Sequence, residues 1–238
     1  MLYSSFSVKW IPQNIEERIK ITSIRIILAD DHTIVRHGLS KLLQQEKDIE
    51  VIAQAKDGHS TVELVKEMSP DVVVMDIGMP DLNGIDATRQ IIRESPKVKV
   101  IGLSMHSGRK FVAEMLKAGA SGYLLKDCAV EELTVAIKAV MAGKTYLSPA
   151  IADVVVEDYV RHPSEKGGSV FSVLSERERE VLQLMAEGKT TKQIAKRLHV
   201  SPKTVEGHRI RIMNKLNIDS IAKLTKYAIQ EGLTSPEL

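Results

Sequence analysis

The chain has 238 residues, 43% hydrophobic and 27% charged, with a formal net charge of +2 and a single cysteine, Cys128. That composition suits a chain that buries a real core in one large or two smaller domains, and one cysteine excludes an intramolecular disulfide framework and points to a reducing compartment. No apolar run approaches the roughly 20 residues needed to cross a bilayer, so the cytoplasm is the expected location, and any affinity for nucleic acid has to come from a local basic surface.

Residues 1–23 carry Glu16 and Glu17 among scattered polar residues and lack the continuous apolar stretch of a secretory signal; we read them as an N-terminal extension, a disordered tail or a misassigned start. From Ile24 onward β-branched runs alternate with stretches whose apolar residues lie three and four apart, a βα rhythm. Strands are predicted at 24–30, 49–55, 71–76, 98–104 and 121–126, with helices at 33–44, 58–68, 84–94, 108–118 and 130–142. Gly119, Gly143, Pro70 and Pro96 punctuate the ends. Strands this uniformly apolar are buried on both faces, so residues 24–145 should form a doubly wound α/β domain with a five-stranded parallel sheet.

Residues 146–171 change texture, with one possible short helix and a linker-like "HPSEKGG". Residues 172–238 then carry four helical patterns, at 176–187, 191–198, 202–216 and 220–231, without a strand signal. Ser175 and Glu178 make a capping box, Gly188 stops the first helix, and Ser201 followed by Pro202 opens the third. The stretch "TTKQIAKRLHVSPKTVEGHRIRIM" reads as helix, short turn, helix, the arrangement that lays its second helix in the major groove of double-stranded DNA. From Leu174 to Leu238 twelve Lys/Arg stand against eight Asp/Glu, a local basic excess that compensates for the neutral whole. In the third of these helices Val205, Ile212 and Leu216 form an inward stripe, leaving Lys203, Glu206, Gly207, Ile210 and Arg211 on a face free to read DNA.

In doubly wound folds functional groups gather beyond the carboxyl ends of the strands. Asp30 and Asp31 end the first predicted strand, Asp76 the third, Ser104 the fourth and Lys126 the fifth, so all five converge on one crevice. Crowded carboxylates repel unless a cation offsets them, and an oxygen-rich set of this kind suits Mg²⁺ beside a phosphate. One of the two adjacent aspartates can also cap the helix starting near Thr33.

"LADDH", "VVVMDIGMPDLNG", "LSMHS" and "GYLLKD", in that order, resemble the receiver domain of bacterial two-component response regulators over residues 24–145. The resemblance implies a flavodoxin-like strand order 2-1-3-4-5 and a phosphoryl group accepted on Asp76 from a sensor histidine kinase. It implies Mg²⁺ held by Asp31, Asp76 and the backbone carbonyl of Gly78, with Asp30 supporting the metal's water shell. Lys126 would pair with the phosphate, Ser104 would donate to a phosphoryl oxygen, and Tyr123 would turn inward when Ser104 moves. Gly78 and His106 are candidates for tuning hydrolysis of the acyl phosphate. Where many receivers carry proline after the lysine, this chain has Asp127.

Residues 172–236 resemble the helix-turn-helix of LuxR/NarL-type transcription regulators. By that resemblance Glu206, Gly207 and Ile210 face base edges, while Thr191, Lys192, Lys203, Thr204, Arg209, Arg211 and Lys215 are candidates for phosphate or mixed contacts. Glu206 suits a cytosine amino group and Ile210 a thymine methyl. The expected protein is a phosphorylation-dependent DNA-binding transcription regulator, a homodimer on a two-half-site operator through the fourth helix around Ile221–Ile229, catalysing only its own phosphotransfer and dephosphorylation. In the expected resting state the receiver covers the recognition helix and phosphorylation releases it. The alternatives are a regulator whose receiver is a phosphate-independent scaffold, and a phosphatase of the haloacid-dehalogenase type; the latter needs a second aspartate where Gly78 stands.

Overall fold

A computed structural model describes residues 23–105, 107–127, 130–161 and 169–234. The N-terminal extension, His106, Cys128 and the "HPSEKGG" linker lie outside the described residues. The receiver strands are β1 (Ile24–Ala29), β2 (Ile49–Ala55), β3 (Val72–Asp76), β4 (Lys99–Ser104), β5 (Gly122–Leu125) and β6 (Tyr146–Leu147). Interleaved with them are α1 (Thr33–Leu43), α2 (Gly58–Met68), α3 (Gly84–Glu94), α4 (Arg109–Lys117) and α5 (Val130–Met141), with α6 (Pro149–Arg161) following. The sheet is parallel with order β2-β1-β3-β4-β5-β6.

Period-two alternation sends successive side chains to opposite faces. Val73 and Met75 of β3 pack with Ile27, Val100, Ile85 and Met115 on the α2–α3–α4 side, while Val72 and Val74 pack with Ile26, Leu28, Ile137 and Val140 on the α1–α5 side. Both faces of β3 are therefore buried, which is why its sequence is an unbroken apolar run.

The five predicted strands are present in the predicted order, and the structure adds a short sixth at the β5 edge. Tyr146 and Leu147 add a short parallel edge to β5, Ser148 N–H donates to the Tyr123 carbonyl at 3.1 Å, and Ile151 of α6 is buried in the core. The added strand lengthens the sheet without altering the 2-1-3-4-5 order of the rest.

Beyond the linker lie a short α7 (Val170–Val173) and four helices, α8 (Glu176–Ala186), α9 (Thr191–Arg197), α10 (Pro202–Leu216) and α11 (Ile221–Gln230). Ser175 and Glu178 form the capping box of α8, and the Ser201 side chain accepts from Thr204 N–H with Pro202 opening α10. Their core joins Val181, Leu184, Ile194, Val205, Ile212, Leu224 and Ala228.

The receiver packs on the helical domain, and in this arrangement it leaves the recognition helix uncovered. Contact runs through α8, α9 and the end of α11: Arg179 to Asp86, Gln183 to Asn83, Arg197 to Asp81, Arg93 to Glu176, and Lys110 to Glu231. The reading face of α10 is turned outward, with Lys203, Thr204 and Arg211 exposed and Ile210 58% exposed. Position 232 sits in the same contact: Gly232 has φ +73, and an added Cβ would lie 1.8 Å from the Phe111 ring of α4.

Candidate functional site: an acidic crevice and a helix-turn-helix

The carboxyl ends of β1, β3, β4 and β5 converge as the sequence requires. Asp30, Asp76 and Ser104 are all buried, and the Lys126 ammonium lies 2.8 Å from both Asp30 Oδ2 and Asp76 Oδ2. Gly78 N–H donates to Asp76 Oδ1 at 3.3 Å. Burial pushes the Asp76 carboxyl up to about 6; Lys126 and the Gly78 amide pull it down, and the Asp30 carboxylate adds to the rise. Burial alone would lower the Lys126 ammonium, but Asp76 and Asp30 outweigh it and hold its pKa above the ordinary lysine value.

Close packing at Gly84 places the phosphoacceptor candidate. A Cβ there would lie 2.0 Å from the Asp76 carbonyl oxygen, so the first residue of α3 is seated directly against the end of β3. Asn83 caps that helix through Asp86 N–H at 2.9 Å.

Asp30, Asp31, His32 and Asp76 each offer a ligand atom within 4.8 Å of the others. Asp31 Oδ1 is buried without a hydrogen bond, although His32 Nδ1 lies 2.9 Å away, so the donor set has an unsatisfied hard oxygen of the kind a divalent cation takes. The capping role open to Asp30 is absent: His32 is the N-cap of α1 without a side-chain bond, and Asp30 Oδ1 accepts the His32 N–H at 2.8 Å instead. Arg36 Nη1 holds the Asp30 carbonyl at 2.5 Å. His32 closes the "LADDH" motif without a role assigned from sequence, and Arg36, one turn further along α1, carries no sequence signal. Ser104 ends β4 beside the crevice, and the wholly buried Tyr123 is already turned inward with its hydroxyl paired to Ser104; burial pushes its pKa up to about 12.

In the helical domain Thr191 and Lys192 open α9, and the remaining expected DNA-facing residues, Lys203 to Lys215, lie along α10. Four of them are engaged. Thr191 Oγ1 donates to Glu206 Oε1 at 2.9 Å with Arg209 3.7 Å from the same carboxylate, and Lys215 lies 2.7 Å from Glu178. The Lys215–Glu178 pair ties α10 to α8 and so fixes the recognition helix on its support. Gly207 is not forced by space, since a Cβ there would meet only Arg211 Nη2 at 3.8 Å.

A doubly wound sheet with a carboxylate–lysine crevice, followed by an outward-facing helix-turn-helix, defines a two-domain signalling protein. The family described as response regulator receiver domain matches residues 26–138, and that described as bacterial regulatory proteins, luxR family, matches residues 172–228. Among similar proteins, the transcriptional regulatory protein DegU of Brevibacillus brevis is 37% identical over 229 residues, covering 91% of this chain and 97% of that one. The response regulator UvrY of Escherichia coli K12 is 37% identical over 214 residues, with coverage of 90% and 97%. RcsB from Salmonella enterica serovar Typhimurium, solved bound to the rprA promoter in the presence of the phosphomimetic BeF3−, aligns with a TM-score of 0.57 at 27% identity, covering 86% of this chain and 98% of that one. The chain belongs to the two-component response regulators with a LuxR-type DNA-binding domain. Among the described residues no helix is long and apolar enough to cross a membrane.

Proposed function

We propose that this regulator works in the cytoplasm, that Asp76 is its phosphoacceptor, and that phosphorylation there by a sensor histidine kinase sets the affinity of the helix-turn-helix for double-stranded DNA. The observation that carries the reading is the placement of one buried carboxylate, Asp76, 2.8 Å from a buried ammonium at the end of the central strand. An Asp76 oxygen attacks phosphorus, the new P–O bond forms as the donor's P–N bond breaks, and the leaving imidazole takes a proton. Lys126 and the Gly78 amide favour the ionised carboxylate of Asp76, the form that acts as the nucleophile.

Asp31, Asp76 and the Gly78 carbonyl would hold Mg²⁺, with Asp30 ordering its water. The ion supplies charge neutralisation for the phosphoryl oxygens. Lys126 supports the same charge from the β5 side, Ser104 donates to a phosphoryl oxygen, and Tyr123 follows Ser104 inward. Return to the resting state is the receiver's own hydrolysis of the acyl phosphate, with open space at Gly78, where an added Cβ would meet nothing within 4 Å, leaving room for water.

On DNA, Gly207 and Ile210 face the bases, and Glu206 reaches a cytosine by exchanging its Thr191 and Arg209 partners. Lys192, Lys203, Thr204 and Arg211 contact phosphates, and Lys215 acts by holding α10 in place. Two copies meet through α11, where Ile221 is 46% exposed, and read two half-sites. The promoter-bound Salmonella relative supports this use of the domain. Intact-mass analysis after acetyl phosphate and Mg²⁺ tests the reading: one phosphoryl group on the wild type and none on Asp76→Asn supports it, whereas equal labelling of both overturns it.

A further inference from the structure

The loop from Ile77 to Asn83 carries the chain from the phosphoacceptor to α3, and its middle is bonded to the other domain. Gln183 of α8 is fully buried; its Nε2 donates to the Met79 carbonyl at 3.0 Å, and its Oε1 accepts from Asn83 N–H at 3.0 Å and Asn83 Nδ2 at 3.1 Å. One side-chain amide thus closes the loop as a peptide group of a neighbouring strand would. Four residues on, Glu187 Oε1 accepts from Asp81 N–H at 3.0 Å and from Gln183 Nε2 at 2.9 Å. Asp81 itself sits at φ +65, a conformation an L side chain rarely adopts, and its carboxylate accepts from Arg197 at 2.7 Å. Four residues before Gln183, Arg179 grips Asp86 in the first turn of α3. Positions 179, 183 and 187 share one face of α8, which lies along the loop and the helix it feeds.

We infer that Gln183 is a positioning residue of the phosphoacceptor site: from the DNA-binding domain it fixes residues 79–83, and through them the Gly78 backbone on which the cation depends. The inference rests on the reading of Asp76 and Gly78 given above. The docked arrangement has Tyr123 inward, Gly78 N–H on Asp76 and the reading face of α10 exposed, so it is the state able both to take phosphate and to bind DNA. Coupling between sites is reciprocal. If docking orders the loop for phosphorylation, phosphorylation tightens docking, the opposite of a release mechanism.

The test uses the full chain with Gln183→Ala and the volume-conserving Gln183→Met, and Arg93→Ala as a control that removes a domain contact without touching the loop. Two quantities are read: hydrogen exchange at the amides of Met79, Asp81, Leu82 and Asn83, and the Mg²⁺ concentration giving half-maximal labelling by acetyl phosphate. We expect both Gln183 variants to exchange at least tenfold faster at Asp81 and Asn83 and to need at least fivefold more Mg²⁺. Arg93→Ala should stay close to wild type, and phosphodonor should slow loop exchange in the wild type. The inference is overturned if loop exchange is unchanged in both Gln183 variants, if it rises with no change in the Mg²⁺ requirement, or if phosphodonor speeds exchange in the wild type. Absence of labelling at Asp76 in the wild type would instead sink the phosphoacceptor reading, leaving the exchange comparison to report the clamp alone.

Discussion

Replacing Arg179 by methionine should undock the two domains. Its side chain is 4% exposed and that of Asp86 1%. Arg179 Nε lies 3.0 Å and 2.9 Å from the two Asp86 oxygens, Nη2 2.5 Å from one of them, and Nη1 donates to the Leu174 carbonyl at 2.6 Å. The Phe171 ring packs against two guanidinium groups, 5.2 Å from that of Arg179 and 4.6 Å from that of Arg89. Methionine leaves Asp86 buried with only Arg89, at 3.0 Å, to offset its charge. Removing one partner of a buried pair costs about 3–5 kcal/mol, and the remaining arginine places this case near the lower end, about 3 kcal/mol. That corresponds to a roughly 150-fold fall in the docking constant. Urea unfolding followed by circular dichroism, in a cycle of Arg179→Met, Asp86→Leu and the double variant, measures it. The double variant should lose far less than the sum of the singles, because an apolar pair of similar volume leaves no charge buried alone. A loss under about 1 kcal/mol for Arg179→Met, with additive singles, would refute the reasoning and mean the pair is solvated rather than buried.

Three further outcomes follow from other contacts. Gly84→Ala drives a methyl into the Asp76 carbonyl, so β3 and α3 must part; we expect a destabilisation of about 2 kcal/mol and loss of Mg²⁺-dependent labelling, and wild-type unfolding with wild-type labelling would contradict the packing argument. Burial would raise Glu178, but Lys215 and the Ser175 amide and hydroxyl outweigh it and hold its pKa below the ordinary glutamate value of 4.5. Its contribution is therefore complete above that value and fades as pH falls through the lowered native value, so the melting-temperature gap between wild type and Glu178→Gln should shrink in acid; a gap that stays constant would deny the effect. Arg211→Ala, on the exposed face of α10, should weaken binding to all DNA sequences alike and reduce the salt slope by about one, whereas a sequence-selective loss would make Arg211 a base reader.

The elements of the receiver were legible because each is a local pattern. The run at 72–75 had to be buried on both sides, and Asp76 at its end had to face the crevice. β6 was not legible: two residues have no period, and Tyr146 and Leu147 become a strand only by pairing with β5. The capping box at Ser175 was readable from S-x-x-E, but the polar face of α8 looked like any solvated helix face. That Arg179, Gln183 and Glu187 are spent on a second domain depends on where the chain returns in space, which spacing alone does not encode. The same limit applied to Glu206 and Lys215, whose partners Thr191 and Glu178 lie on other helices.

The central claim is that a phosphoryl group on Asp76 strengthens DNA binding. A fluorescence-anisotropy titration of operator DNA at one fixed salt concentration, with wild type and Asp76→Asn each incubated with Mg²⁺ in the presence and absence of acetyl phosphate, tests it most directly. The account predicts that phosphodonor tightens binding by the wild type and leaves Asp76→Asn unchanged. Equal tightening of both proteins, or no change in a wild type shown by mass to be phosphorylated, would contradict it.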